Sequence, residues 1–113
     1  MKVVVLDDIK GRNREISELA EKKGHKVISC SSANSFMEAI QDEKIDMYII
    51  ELSSWNSGLA IYKYINIIEK MGVTPAIIFN APENLVALSG RDENEADIIL
   101  SNEVTADEIV EAI

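Results

Sequence analysis

Asp7 and Asp8 follow the apolar run Val3–Leu6, and Glu51 follows Met47–Ile50. Asn80 follows Ala76–Phe79, and Asn102 comes just past Ile98–Leu100. Polar side chains just beyond short apolar runs are what a parallel sheet presents at the carboxyl ends of its strands. Open α/β sheets bind their ligands there. Three carboxylates gathered at such an end repel one another. Either at least one pKa rises or a cation is recruited. Alternatively, Glu51 turns onto Asn80 or Asn102 and fills the site with its own hydrogen bonds. Taken alone, Asp7-Asp8 has a plainer reading as a helix N-cap with a solvated neighbour.

For these residues to meet, five short strands must alternate with helices. The β-branched run Val3–Leu6 reads as a strand buried on both faces. Arg12–Lys23 carries Ile16, Leu19 and Ala20 at helical spacing and stops at Gly24, a C′ residue. Lys26–Cys30 is a second strand. Ser32 caps a second helix that runs to Gln41, with Phe36, Ala39 and Ile40 on one face. Met47–Ile50 is the third strand, followed by a polar loop, Ser53–Gly58. A third helix spans about Leu59–Met71 and ends at Gly72. Ala76–Phe79 is the fourth strand, Pro82–Ser89 a weaker helix closed by Gly90, and Ile98–Leu100 the fifth strand. Thr105-Ala106-Asp107-Glu108 is a capping box that opens a last short helix. The pattern is (βα) five times over: a doubly wound α/β domain with a five-stranded parallel sheet and right-handed crossovers. The flavodoxin-like order 2-1-3-4-5 is expected, with a site at the switch between the first and third strands.

Composition narrows the function. The 113 residues make one domain, 47% hydrophobic and 27% charged, with a net charge of −9. A chain of this size buries roughly two-thirds of its unfolded surface and needs neither metal nor disulfide to fold. Cys30 has no partner for a disulfide, which fits a reducing cytosol. The acidic balance disfavours nucleic acid, anionic lipid and phosphate-rich cofactors. No run of about 18 apolar residues predicts a membrane span, and Met1–Asp8 does not read as a secretory signal. Asp7–Arg12 holds one glycine, so no phosphate-cradling loop follows the first strand. No Asp-x-His-x-x-Gly stretch marks a cobalamin site. His25, between Gly24 and Lys26, reads as exposed and idle, and Cys30 as a small core residue.

The chain resembles the receiver domain of bacterial response regulators (CheY-like) over its whole length. Val4-Val5-Leu6-Asp7-Asp8, Ile45–Leu52 and Thr74–Ala81 carry the resemblance. It implies that Asp7 and Asp8 are the acidic pair that holds Mg²⁺, with Glu51 and the Ser53 backbone carbonyl completing a weak Mg²⁺ site. The phospho-accepting Asp falls on Glu51, the hydroxyl residue on Asn80 and the Lys on Asn102, with Glu103 where a Pro usually follows. The switch aromatic falls on Ile99. The loop Ser54-Trp55-Asn56-Ser57-Gly58 also departs from the pattern and is one residue shorter. Trp55 reads as a lid over the site, a partner anchor or a cap on the core.

These departures change the chemistry expected. Phosphoryl transfer rests on positioning and on cations that neutralise developing charge. The Glu51 carboxylate sits one methylene further out, and a misplacement of about 1 Å costs roughly a hundredfold in rate. Asn102 supplies no charge. The expectation is an atypical receiver, a pseudo-receiver and not an enzyme. It works as a phosphorylation-independent protein-interaction module in two-component signalling, the N-terminal part of a longer cytoplasmic protein, with no cofactor or weak Mg²⁺. Glu51 reads either as a built-in mimic of the phosphorylated state or as simple loss of the acceptor; Asn80 and Ile99 in place of the switch pair favour a static domain. The competing readings are a phosphorylation-competent, Mg-dependent receiver and a different flavodoxin-like, cofactor-binding domain. By resemblance, a protein partner or a second copy docks on the face of the fourth helix, fifth strand and fifth helix. That face includes Leu85, Leu88, Ile99, Asp107, Glu108 and Glu111. The apolar cluster Tyr62, Tyr64, Ile65, Ile67 and Ile68 on the third helix marks a second candidate surface.

Overall fold

The computed structural model describes residues 1–41, 44–51, 74–80, 98–100 and 104–113. Strands β1 (Lys2–Leu6), β2 (Lys26–Cys30), β3 (Met47–Glu51), β4 (Ala76–Phe79) and β5 (Ile98–Ile99) form one parallel sheet of order β2-β1-β3-β4-β5. That is the order expected for a doubly wound fold. Helices α1 (Lys10–Lys22), α2 (Ala33–Ala39) and α3 (Ala106–Glu111) are described, α3 being the last helix of the sequence reading. The third and fourth helices expected at 59–71 and 82–89 lie outside the described residues.

Side-chain alternation along the strands divides the core into two layers. Val4, Leu6, Tyr48, Ile50, Ala76 and Ile78 face α2, which inserts Phe36. Phe36 meets Tyr48 edge to face, with ring centroids 5.8 Å apart. Val3, Val5, Met47, Ile49, Ile77 and Phe79 face the opposite way, toward Ile16 and Ala20 of α1 and Ile109 and Val110 of α3. Both faces of β1 and β3 are therefore covered, which explains their uninterrupted apolar sequences.

Local signals set most boundaries. Gly24, at φ 92°, closes α1 in the left-handed region. Ser32 caps α2 through a reciprocal pair with Ser35, and Thr105 accepts the Glu108 N–H at 3.1 Å to cap α3. Helix α2 ends at Ala39, with Ile40 as its C-cap, short of the expected Gln41.

Two expectations need correction. Helix α1 starts at Lys10, not Arg12, and its buried residues are Asn13, Ile16, Ser17 and Ala20. Leu19 is half-buried and packs against the same core layer as Ile16 and Ala20, while the spacing i, i+3, i+4, i+7 adds polar Asn13 and Ser17 to the inner face. His25 is half-buried, with Nδ1 3.3 Å from the N-terminal amine, because its turn packs beside the start of β1. Cys30 is 2% exposed, a core residue as expected. No helix among the described residues is long and apolar enough to cross a membrane.

Candidate functional site

The site is built where β1 and β3 end. Asp7 follows β1 directly, and its N–H bonds the Cys30 carbonyl at 3.1 Å, extending the β1–β2 pairing by one residue. The side chain is fully buried. Its Oδ1 accepts the Ile9 N–H at 3.0 Å. Ile9 is the N-cap of α1 and has no capping side chain of its own, so Asp7 serves that turn from two residues upstream. This is half of the plainer reading of Asp7-Asp8, and exposed Asp8 beside it is the other half.

Glu51 is the last residue of β3, paired in register with Phe79. Its side chain is fully buried. Asn80 follows β4 directly in the left-handed conformation, φ 54°, which asparagine adopts more readily than most residues. That turn aims the Asn80 amide at Glu51, and Nδ2 donates to Oε1 at 3.0 Å.

Between the two buried acids lies Arg12. Its Nε donates to Asp7 Oδ2 and its Nη2 to Asp7 Oδ1 at 2.9 Å, a two-point grip on one carboxylate. The same Nη2 is 3.7 Å from Glu51 Oε2, an ion pair longer than a hydrogen bond. The guanidinium carbon sits 5.4 Å from the Phe79 ring centroid, over its face. The Asp7 hydrogen bond holds the Arg12 pKa above its ordinary value. Partial burial opposes this, and the charges of Asp7, Glu51 and Asp8 reinforce it. Arg12 is thus a fixed cation.

Beneath this layer, the buried Asn13 side chain ties the strand ends together. Nδ2 donates to the Asp7 carbonyl at 3.0 Å and to the Cys30 carbonyl at 2.9 Å. Oδ1 accepts from the hydroxyls of Ser17 and Ser29.

The structure therefore brings together Asp7, Asp8, Glu51 and Asn80, as expected. Asp7, Asp8 and Glu51 can each offer an oxygen within 4.8 Å of the others. Ser53, Trp55, Asn102 and Glu103 lie outside the described residues. So do Leu85 and Leu88 of the expected partner face, and the Tyr62–Ile68 cluster. Sequence reasoning missed Arg12 and Asn13. For Arg12 the available signal was a basic residue in the first helical turn after the acids. Asn13 had only its i, i+3, i+4, i+7 relation to Ile16, Ser17 and Ala20.

No family model matches the chain. It is 25% identical, over an alignment of 116 residues, to the sensory/regulatory protein RpfC of Xanthomonas campestris pv. campestris. That alignment takes in 100% of this chain and 16% of RpfC, so the chain spans about one-sixth of the length of its curated relative. Among solved structures, the non-phosphorylated HemR receiver domain from Leptospira biflexa superposes with a TM-score of 0.79 at 12% identity, covering 98% of this chain and 89% of that one. The chain has the receiver fold of response regulators. A Burkholderia pseudomallei response regulator, solved with a phosphorylated aspartic acid, calcium ion and citrate, shares this receiver fold at a TM-score of 0.74 and 13% identity. There the match covers 98% of this chain and 65% of that one. On the receiver fold, the acid cluster of this chain occupies the end of the sheet where β1 and β3 meet.

Proposed function

We propose that this domain is an atypical receiver: a phosphorylation-independent protein-interaction module in two-component signalling, without enzymatic activity of its own. The observation that carries this reading is the state of Glu51. Its carboxylate is fully buried, hydrogen-bonded by Asn80 at 3.0 Å and ion-paired with Arg12 at 3.7 Å. A phosphoryl acceptor must present an oxygen in line with the donor. A longer acid folded inward onto an amide and a guanidinium is poorly placed to do that. The Burkholderia protein named above carries its phosphoryl group on an aspartic acid; in this reading Glu51 stands at the acceptor position of this chain.

In this reading the domain uses no cofactor, works in the cytoplasm as part of a larger signalling protein, and acts through a protein partner. Asp107, Glu108 and Glu111 are exposed along α3, beside β5 in the sequence. They suit a partner surface with basic side chains. The acidic balance of the chain, −9, supports a protein partner over nucleic acid or anionic membrane.

The test is incubation of the protein with acetyl phosphate and magnesium, followed by intact-mass measurement, with a phosphorylatable receiver as the positive control. The expected result is no added phosphoryl group. A stable adduct on Glu51 would overturn the reading in favour of a working receiver.

A further inference from the structure

We propose that Arg12 is a tethered cation that takes the place of a divalent metal ion in the acid cluster, making the domain indifferent to magnesium. This rests on the reading above and deepens it by assigning which cation faces the buried acids. Asp7, Asp8 and Glu51 bring oxygens within 4.8 Å of one another, close enough to share one ion. Yet both Asp7 oxygens are gripped by the Arg12 guanidinium, and the nearer Glu51 oxygen faces the same Nη2. A metal ion that took Asp7 as a ligand would have to displace this fork. The arrangement does not fit a divalent ion.

Two further features mark the guanidinium as a built part of the site. It is stationed over Phe79, whose ring face gives it a second attractive surface. It also stands where the helix alone would not want it. Arg12 is in the first turn of α1, at the positive end of the helix dipole, and that turn contains no acid. Placement there is unfavourable by itself and is offset by the two buried carboxylates it faces. Those carboxylates in turn require a partner, since a buried charge left uncompensated is costly. Asp7 and Glu51 are fully buried, Asp8 is exposed, and Arg12 engages the buried two.

The competition with magnesium is unequal. A side chain already seated opposite its partner acts at a high effective concentration, and the guanidinium remains charged at any pH the fold survives. Magnesium gives up its water reluctantly and prefers octahedral oxygen sites. The cation therefore comes with the chain, and partner binding does not depend on a free ion.

The experiment is magnesium titration of the wild-type protein and of Arg12→Gln, followed by calorimetry and thermal unfolding. The wild type is expected to give no saturable heat and no shift in Tm. Arg12→Gln is expected to gain saturable binding, with Tm rising by about 5 °C when magnesium is about ten times its Kd. A folded Arg12→Gln that gains nothing overturns the proposal. So does saturable binding to the wild type that Asp7→Asn removes. If Arg12→Gln does not fold, the Arg12 Nε–H resonance of the wild type decides. A signal unmoved by magnesium supports the proposal, and one that shifts or vanishes at millimolar magnesium overturns it. Magnesium binding without phosphoryl uptake from acetyl phosphate would sink the tethered cation alone. Phosphoryl uptake would sink the reading beneath it.

Discussion

Replacing Asn13 by alanine tests the polar layer under the site. Asn13 is 2% exposed and makes four side-chain hydrogen bonds: to the carbonyls of Asp7 and Cys30, and from Ser17 and Ser29. These losses are unequal. The Cys30 carbonyl keeps the Asp7 N–H at 3.1 Å. Ser29 is exposed and can turn to water. Ser17 is helical and can turn to its own i−4 carbonyl. The Asp7 carbonyl loses the amide at a buried position, which costs about 1–3 kcal/mol. Loss of the remaining favourable bonds adds about 1 kcal/mol. Alanine's better helix propensity returns about 0.6 kcal/mol. The net expectation is a loss of about 1.5–3.5 kcal/mol, a large fraction of the stability typical of a domain this size. Urea unfolding should show the midpoint falling by about 1–2.3 M at an m-value near 1.5 kcal/mol/M, with the m-value unchanged. Asn13→Asp should be worse than Asn13→Ala at neutral pH, because a carboxylate would face two carbonyl oxygens with no donor to offer. An Asn13→Ala midpoint within about 0.3 M of wild type, or Asn13→Asp more stable than Asn13→Ala, would refute the accounting.

Two other outcomes follow from single groups. Asn80 holds φ 54° and donates to Glu51, so Asn80→Gly loses only the hydrogen bond while Asn80→Ala also strains the turn. Urea midpoints should place the alanine variant about 1 kcal/mol below the glycine variant, and equal stabilities would show that the turn is unstrained. Burial pushes the Cys30 thiol above its ordinary value of 9.0, with the Ser35 hydroxyl working weakly against it. The unfolded chain therefore releases the thiol proton before the folded one does. The stability Cys30 contributes is whole below its ordinary value and declines as pH rises past it. Unfolding midpoints across that range should fall more steeply for wild type than for Cys30→Ala, and parallel curves would remove Cys30 from the explanation.

The elements themselves were legible along the chain. Ala76–Phe79 and Lys26–Cys30 are strands with the boundaries their composition predicts, and Ser32, Gly24 and Thr105 mark helix ends by short-range hydrogen bonding. The meeting of Asp7, Asp8 and Glu51 was legible too, since parallel pairing of β1 with β3 aligns Leu6 with Ile50 and so brings the following acids together. The partner of those acids was not. Lys10, Arg12 and Arg14 lie within one and a half turns of α1, and nothing local distinguishes them. Packing does: with Asn13, Ile16, Ser17 and Ala20 turned inward, Lys10 and Arg14 line the groove beside Ser29 and Ser31 of the β2 edge. The 100° step per residue swings Arg12 the other way, onto Asp7 and Glu51. The hydrogen-bond partner of Glu51 was also decided in three dimensions, by Asn80 arriving from the end of β4, 29 residues away. Sequence alone determined the strands, the caps and the end of the sheet where the acids collect. The rotation of one helix against that sheet decided which cation faces them, because a helix's azimuth is set by the sum of its packing contacts and not by any residue's neighbours in the chain.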